Sequence, residues 1–301
     1  MQVVLYNNKV KKSFKIPIPG CEKNRLQERR GNYILEINPT QDVIITCGYT
    51  SNCLSVLSFP MFSHIQTIPV KIISPINKAH EDVIFDGVWL TSDTFISASR
   101  DSNIGIWKAN QDQFTKHGLK KAHEGPTRRL CAIGQASKIR FPWLRSNLKN
   151  LGWYNIQTSK SISYRKPIHK INVNATETCC VARLHNSLVI GSKQGLHITD
   201  VRQRNIVDSI IMVQTSRSCY GVRSLLVKDD YILIGKGGPE ISVFDIRKNC
   251  ILENKFFDVD RDGYDCQAIF SMSLNPSKNI LSVCGGPIDS SSLGSHASLW
   301  Y

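Results

Sequence analysis

Three residue types that act together in many hydrolases lie close to one another in this 301-residue sequence. His80, Ser97 and Asp101 could supply the base, the nucleophile and the orienting carboxylate of a nucleophilic reaction. The same three side chains could instead form a buried hydrogen-bonded network, because polar groups inside a protein need partners. The elements that carry these residues decide between the two interpretations.

Other patterns in the sequence favour no enzyme class. Gly235–Gly238 contains a lysine, but neither Ser nor Thr follows it, so we expect a hairpin turn rather than a phosphate loop. Asp258–Asp262 is rich in Asp but lacks the downstream Glu of a calcium loop. The ten cysteines include no CxxC pair, which indicates a reducing compartment. We therefore predict a protein that is not an enzyme and that holds no metal and no cofactor.

A repeated pattern runs along the chain. The tetrapeptide KAHE occurs at Lys78–Glu81 and, 43 positions later, at Lys121–Glu124. Short apolar runs recur at a similar period, and the runs that open each unit start at Tyr33, Phe85, Arg129, Cys180, Arg223 and Phe270. The second runs start at Val43, Thr94, Lys138, Ser187, Tyr231 and Ile280. A third run follows in each unit, and the Gly, Asn, Asp and Ser residues between the runs predict antiparallel sheets.

Units of three or four strands over about 40–45 residues are typical of the blades of a β-propeller. One such sheet cannot bury both faces alone, and stacking around an axis lets each blade cover its neighbours. We therefore predict an all-β propeller that forms a single domain over residues 1–301. Residues 1–18 are expected to form part of its first blade.

The charge of the chain limits its partners. There are 38 Lys and Arg against 24 Asp and Glu, a formal net charge of +14. Such a surface attracts acidic partners, whether nucleic acid, anionic lipid or acidic peptide. Residues 125–176 hold ten Lys or Arg and no Asp or Glu, which indicates either a solvated basic face or a binding surface. No apolar run is long enough for a membrane span and we find no signal peptide, so we expect no membrane partner.

The opening positions of the repeats suggest where a ligand could bind, because in a propeller they lie beside the central channel on one face. Two arginines and three aromatic residues occupy them: Arg129, Arg223, Tyr33, Phe85 and Phe270. Arg100 could reach the same region. Clustered guanidinium groups suit carboxylates, which they hold in bidentate geometry. The alternative is that each arginine packs on a neighbouring blade or pairs with a local acid such as Asp86.

The order His80, Ser97, Asp101 and Trp107 resembles the WD-repeat, or WD40, pattern. In that family a loop histidine, a strand serine, a turn aspartate and a tryptophan of the third strand are linked by hydrogen bonds that hold a blade together. The resemblance favours a structural tetrad over catalysis, and the match is good in one unit only. Two later units carry Asp-x-Arg instead of Trp-Asp.

Longer segments resemble a narrower family, the WD-repeat substrate receptors of cullin-4 RING ubiquitin ligases, of the cullin-4-associated factor twelve type. They are YILEINP, SDTFISASRDSNIGIW, VRSLLV with ISVFDIRKN, and VCGGPIDSSSLGSHASLW. The resemblance is strongest in Thr91–Trp107, Gly221–Arg247 and Cys284–Trp300 and weak in Gly134–Thr178. It implies a non-enzymatic adaptor of the cytoplasm and nucleus. Its propeller would bind the adaptor propeller of the ligase and present target proteins for ubiquitin transfer.

The resemblance also implies roles for individual residues. Target proteins with acidic C-termini, ending in two glutamates, are expected to bind at Arg100 and Arg129, with Arg223 as an addition. Thr127 stands where the family carries a lysine, and Arg128 offers a compensating charge. The Asp-x-Arg motifs match the family's docking motifs for the ligase adaptor, which assigns that role to Asp200, Arg202, Asp245 and Arg247.

Receptors of this family begin with a helical docking segment and a complete first blade. Here Met1 leads directly into MQVVLYN and SFKIPI, which we interpret as the third and fourth strands of that blade. We therefore expect either seven blades with incomplete closure, or a fragment or divergent isoform of such a receptor, without the docking segment. One competing interpretation is a basic WD-repeat scaffold that binds RNA or chromatin. Another is a phosphoinositide-binding propeller with its site at Arg29–Arg30 or Arg128–Arg129.

Overall fold

A computed structural model describes the chain in segments. They comprise residues 2–7, 10–15, 32–40, 42–48, 52–58, 71–110, 113–121, 127–130, 133–135, 138–145, 150–157, 169–172, 180–185, 187–200, 209–212, 221–238, 240–256, 267–275, 280–287 and 296–300. All the regular secondary structure in these segments is β-strand, so the predicted all-β class is confirmed. Within the same segments, the structure has no helix long and apolar enough to cross a membrane.

The chain divides into two compact units, residues 1–141 with 155–164 and residues 142–154 with 165–301. The strands up to residue 157 are β1 (Gln2–Asn7), β2 (Val10–Lys15), β3 (Asn32–Ile37), β4 (Val43–Gly48), β5 (Leu54–Ser58), β6 (Lys71–Ile76), β7 (Ile84–Trp89), β8 (Thr94–Ser99), β9 (Asn103–Asn110), β10 (Gln113–Lys121), β11 (Thr127–Leu130), β12 (Ile133–Gln135), β13 (Lys138–Arg145) and β14 (Asn150–Gln157). The later strands are β15 (His169–Asn172), β16 (Cys180–Leu184), β17 (Ser187–Gly191), β18 (Gly195–Asp200), β19 (Ser209–Met212), β20 (Val222–Lys228), β21 (Tyr231–Lys236), β22 (Glu240–Asp245), β23 (Cys250–Phe256), β24 (Gln267–Asn275), β25 (Ile280–Pro287) and β26 (His296–Trp300).

These strands form seven sheets in the described residues. Four strands follow one another in chain order in β3–β6, β7–β10, β16–β19 and β20–β23. The sheet β24–β26 has three strands, β1 pairs with β2, and β11, β13, β14 and β15 form one sheet with β12 at the side of β13. Consecutive antiparallel strands joined by short turns are the construction of a propeller blade. The fold is thus of the WD40 propeller type.

The first strands of neighbouring sheets pack against each other inside each unit. In the first unit β3 contacts β7, and β7 contacts β11; in the second unit β16 contacts β20, and β20 contacts β24. In the sheets β7–β10 and β20–β23, antiparallel pairing places the start of the first strand at the same end of the sheet as the turn between the second and third strands. Arg100 lies at that end of the first of these sheets, and Arg223 lies at that end of the second.

The core lies between stacked sheets, as the blade interpretation requires. Between β3–β6 and β7–β10 the buried side chains include Ile34, Ile45, Leu54, Val56, Ile84, Phe95 and Trp107. The Trp89 ring meets the Phe95 and Phe114 rings edge-on, with centroids 5.3 and 5.9 Å apart. In the second unit, one buried cluster contains Leu184, Val189, Leu196, Val222, Ile232, Ile234 and Phe244. Middle strands buried on both faces read as nearly continuous apolar runs, and LSVLS in β5 is an example.

The strands predicted from the sequence correspond to strands of the structure. All six second runs coincide with β4, β8, β13, β17, β21 and β25, and the Gly235–Gly238 stretch joins β21 to β22 as the expected hairpin. The fourth strands, β6, β10, β15, β19 and β23, were missed. In β10 the apolar signal is weak, because QFTKHGLKK is mostly polar and lies at the outer edge of its sheet. The single-domain expectation stays a prediction, and Asp258–Asp262 lies outside the described residues.

Candidate functional site

His80, Ser97, Asp101 and Trp107 form one hydrogen-bonded chain in the sheet β7–β10. His80 Nδ1 lies 3.0 Å from Asp101 Oδ2, and His80 Nε2 lies 2.7 Å from Ser97 Oγ. The Trp107 indole N–H donates to the same Ser97 oxygen over 2.8 Å. His80, Ser97 and Trp107 are buried, so a substrate cannot reach the serine oxygen. The arrangement connects the loop before β7 with β8 and β9 and argues against catalysis by these residues.

Asp101 also organises the turn between β8 and β9. Its Oδ1 accepts the backbone N–H of Asn103 at 2.8 Å, and its Oδ2 accepts that of Glu81 at 3.0 Å. Burial alone would raise the pKa of Asp101, but the hydrogen bond and charge of His80 outweigh it and hold that pKa at about 2. Gly105 lies against this network, and a Cβ there would come within 2.7 to 3.0 Å of three of its polar atoms.

Arg100 lies in the same turn and pairs with Asp82 in the loop before β7. Arg100 Nε donates to Asp82 Oδ2 over 2.7 Å, and Nη2 donates to Oδ1 over 2.8 Å. The Arg100 side chain is 55% exposed and that of Asp82 is 36% exposed. Hydrogen bonding to Arg100 lowers the pKa of Asp82. The sequence suggested Asp86 as an example of a local acid, whereas the acid in this contact is Asp82.

Four of the predicted opening residues occupy the same irregular position in their strands. The strand pairing shifts register at Tyr33 in β3, Phe85 in β7, Arg223 in β20 and Phe270 in β24. Such a β-bulge adds one residue to one strand and re-aims its side chain, and bulges are frequent beside functional sites. The repeats therefore present these four residues by the same device, each within its own sheet.

The side chains at these positions differ in exposure. Phe85 and Arg223 are partly buried, and Phe270 is 43% exposed. For Tyr33, Arg128 and Arg129 the structure describes the backbone and not the side chain. The backbone of β11, which carries both of these arginines, packs beside β7 and β8 in the first unit. Arg129 is thus on a strand that neighbours β7, which carries Phe85, and β8, which leads into Arg100.

Side chains just after the bulge positions join neighbouring sheets of the second unit. The Ser224 hydroxyl donates to the backbone carbonyl of Ile269 over 2.8 Å, immediately before the bulge residue Phe270. Cys180 Sγ lies 4.0 Å from the carbonyl oxygen of Val222 at the same point of the preceding pair of sheets. A side chain of one first strand thus contacts the backbone of the next, so the bulges have defined neighbours.

The pairing registers correct our alignment of the repeats at Cys180. Cys180 pairs with Gly191, and Ser224 pairs with Gly235, which makes Cys180 equivalent to Ser224. Our sequence alignment had placed Cys180 level with Arg223, one residue out of step. A bulge adds one residue without changing the apolar pattern of the core, so the repeat period alone does not reveal it.

Asp245 and Arg247 lie at the opposite end of the β20–β23 sheet from Arg223. Buried Asp245 accepts the backbone N–H groups of Arg247 and Lys248 at 2.9 and 3.1 Å, which holds the turn after β22. Exposed Arg247 places its Nε 3.3 Å from Asp230 Oδ2 in the turn after β20. A strand of this length spans roughly 20 Å, so Arg247 and Arg223 do not share one small binding site.

The other predicted docking motif is only partly described. Asp200 ends β18 opposite Ser187, as Asp245 ends β22 opposite Tyr231. Asp200 is partly buried, and Arg202 lies outside the described residues. The equivalent register places both aspartates at the same end of their sheets, and in the β20–β23 sheet this end is remote from Arg223.

A buried ion pair lies in the hairpin that the sequence predicted only as a turn. Lys236 Nζ donates to Glu240 Oε1 over 2.6 Å, and the two side chains are 1% and 7% exposed. The pair closes the β21–β22 hairpin at the same edge of the sheet as Arg223. The sequence GKGGPE does carry the two opposite charges of this ion pair, four residues apart. A turn sequence does not show, however, whether such side chains are buried.

Two other ionisable groups have environments that the sequence did not indicate. Glu36 of β3 is partly buried; burial first, and then the negative charge of Asp86, raises its pKa from 4.5 to about 8. His197 of β18 is fully buried, with Nε2 2.9 Å from Ser192 Oγ, and burial lowers its pKa. Both groups couple the stability of the fold to pH. Among the described residues, no group of three or more His, Cys, Asp and Glu is placed to hold a metal ion.

The repeated sheets, the tetrad and the Asp-x-Arg turns are features of WD-repeat propellers. Residues 19–149 match a family model described as the DDB1- and CUL4-associated factor 12 (DCAF12) beta propeller. The match covers less than half of the chain and contains β3–β13 with the tetrad, Arg100 and Arg129. The segments 221–247 and 284–300 lie outside it. It supports the resemblance to a DCAF12-like WD-repeat receptor over the matched part of the chain.

Proposed function

We propose that this protein is a substrate receptor of a cullin-4 ubiquitin ligase, bound through DDB1, and acts by binding rather than by catalysis. The match of residues 19–149 to the DCAF12 propeller is the observation that carries this proposal. The burial of His80 and Ser97 agrees with it, because the one hydrolase-like set of residues holds strands together. Such a receptor would work in the cytoplasm and the nucleus.

The proposed ligand is a target protein with an acidic C-terminus, ending in two glutamates. Arg100 supports this, since it is exposed and already holds a carboxylate in two-point geometry. Arg129 is proposed to contribute because its strand packs beside β7 and β8. A terminal diglutamate has three carboxylates, and guanidinium groups offset their desolvation and mutual repulsion. The contacts predicted at Arg223 and Phe270 belong to the second unit, where bulges present both residues, and they stay predictions.

The test measures fluorescence anisotropy of labelled peptides ending in Glu-Glu, as the free acid and as the amide. Arg129→Glu should abolish measurable binding of the free acid, because losing one partner of a buried charge pair costs about 2–5 kcal/mol. Lys248→Glu makes the same charge change at an exposed turn, at the end of its sheet remote from Arg223, and should have little effect. Equal binding of free acid and amide, or equal sensitivity to the two variants, would contradict the proposed ligand.

The edge that carries Asp245 and Arg247 is proposed to face the ligase adaptor. Its support is the exposed Arg247 at the sheet end remote from the bulges. In co-precipitation, Arg247→Ala should reduce recovery of DDB1 while an acidic peptide still binds. Lys193→Ala, an exposed site in the turn between β17 and β18, serves as the control. Loss of peptide binding with intact DDB1 recovery would place the motif on the wrong edge.

The net charge of +14 supports one alternative, a basic scaffold that binds RNA or chromatin. Binding of that kind falls steeply with salt because phosphate contacts release counterions, and it is insensitive to amidation of a peptide terminus. A pull-down followed by mass spectrometry separates the two functions. Recovery of DDB1 and cullin-4 supports the receptor, and recovery of RNA-binding proteins alone supports the scaffold.

A further inference from the structure

We propose that Asp82 is a built-in competitor for Arg100. Its carboxylate occupies the guanidinium edge that a peptide carboxylate would take, so a ligand gains affinity at Arg100 only by displacing Asp82, and a single carboxylate gains little from that exchange. The inference rests on the proposed function, because it requires Arg100 to contact the acidic terminus.

The geometry of the pair is that of a bound ligand. Arg100 directs Nε and Nη2 at the two carboxylate oxygens of Asp82, over 2.7 and 2.8 Å. This fork-to-fork arrangement is the one that arginine also offers to a carboxylate from another molecule. An incoming carboxylate that takes this edge of the guanidinium group must therefore displace Asp82.

Hydrogen bonds other than those of the Arg100 side chain hold Asp82 in place. Its Oδ1 accepts the backbone N–H of Val83 over 2.7 Å. The Ser99 hydroxyl donates to the carbonyl oxygens of Asp82 and Val83 over 3.1 and 2.9 Å, and the Arg100 backbone N–H donates to Val83 over 2.9 Å. These bonds fasten the loop before β7 to the turn after β8. The competing carboxylate consequently stays beside Arg100 even when the arginine releases it.

The exposure of the pair makes displacement possible. With 55% and 36% of their side chains exposed, Arg100 and Asp82 form a solvent-screened pair of the kind that contributes little to stability. A single carboxylate that displaces Asp82 only exchanges one such contact for another. A ligand with two or three carboxylates can displace Asp82 with one of them and bind other cationic groups with the rest. These added contacts give it a net gain in binding free energy.

The test compares peptides ending in Glu-Glu and Gln-Gln, which carry three carboxylates and one, on the full chain. Asp82→Asn removes the competing charge and keeps an oxygen for the Val83 N–H. We expect it to tighten the binding of both peptides by a similar factor, up to roughly fivefold, because each must displace Asp82 to take this edge of Arg100. Glu81→Gln, an exposed neighbour whose side chain makes no described contact with Arg100, is the matched control for charge.

Several results would overturn the inference. An unchanged affinity for both peptides, or an equal effect of Glu81→Gln, would show that Asp82 does not compete for the guanidinium edge of Arg100. Weaker binding of both peptides by a folded Asp82→Asn variant would show that Asp82 holds Arg100 in position. In an Arg100→Lys background the gain from Asp82→Asn should disappear, because lysine cannot form the two-point contact. Wild-type protein that binds Glu-Glu free acid and amide equally would instead refute the proposed function itself.

Discussion

Glu36 offers the sharpest test of the packing between the first two four-stranded sheets. Its carboxyl lies on β3, in the unit where β3 packs against β7, the strand of Asp86. Burial first, and then the charge of Asp86, raises the pKa of Glu36 from 4.5 to about 8. The perturbation is Glu36→Gln, which keeps the size of the side chain and removes its ionisation.

The sign and magnitude follow from proton linkage. Between pH 4.5 and about 8 the folded protein keeps the Glu36 proton while the unfolded chain has lost it, so stability falls as pH rises. At about 1.4 kcal/mol for each pKa unit, the difference sets an upper limit of about 5 kcal/mol. Partial solvation reduces this limit, and we expect about 2–4 kcal/mol. Glu36→Gln should therefore stabilise the protein increasingly towards pH 8 and little at pH 4.5.

The assay is urea denaturation followed by tryptophan fluorescence between pH 4.5 and 8.5, with the difference between variant and wild type taken at each pH. Taking the difference removes the contribution of His197, whose lowered pKa makes stability rise with pH below the ordinary histidine range. Glu81→Gln is the control, since it removes a carboxylate at an exposed loop position. Parallel pH curves for wild type and Glu36→Gln would refute the burial of an ionisable carboxyl at this interface.

Three further predictions concern buried polar contacts. His80→Ala should lower the free energy of unfolding by about 1–3 kcal/mol by stranding buried partners, and leave peptide affinity nearly unchanged; a large loss of affinity at intact stability would contradict its structural role. Lys236→Met should destabilise by about 3–5 kcal/mol because it leaves buried Glu240 without its counter-charge, and Lys236→Met with Glu240→Leu should recover most of the loss; additive losses in urea denaturation would count against the ion pair. Ser224→Ala should cost about 1–2 kcal/mol by unpairing the Ile269 carbonyl, and an unchanged melting temperature would show that this contact contributes nothing.

Much of the fold was predictable because its signals are local. Apolar runs separated by turn residues identified the first, second and third strands of the repeats, and the period identified the blade. The fourth strand β10 was missed because it lies at the outer edge of its sheet and its polar sequence carries little apolar pattern. The bulge at Arg223 was missed because one irregular residue at the start of a short strand cannot be recognised from the apolar run that follows it.

The sequence alone determined the all-β class, the repeat and the set of residues in the tetrad, since each depends on residue types at short spacing. It also singled out Arg100 as a candidate for binding carboxylates. Only the tertiary structure decided that Asp82 takes the guanidinium edge of Arg100, that Lys236 and Glu240 are buried together, and that Glu36 lies in a low-dielectric interface. The partner of a charged side chain, its burial and its pKa depend on which loops and sheets pack together. The residue pattern along the sequence does not specify that packing.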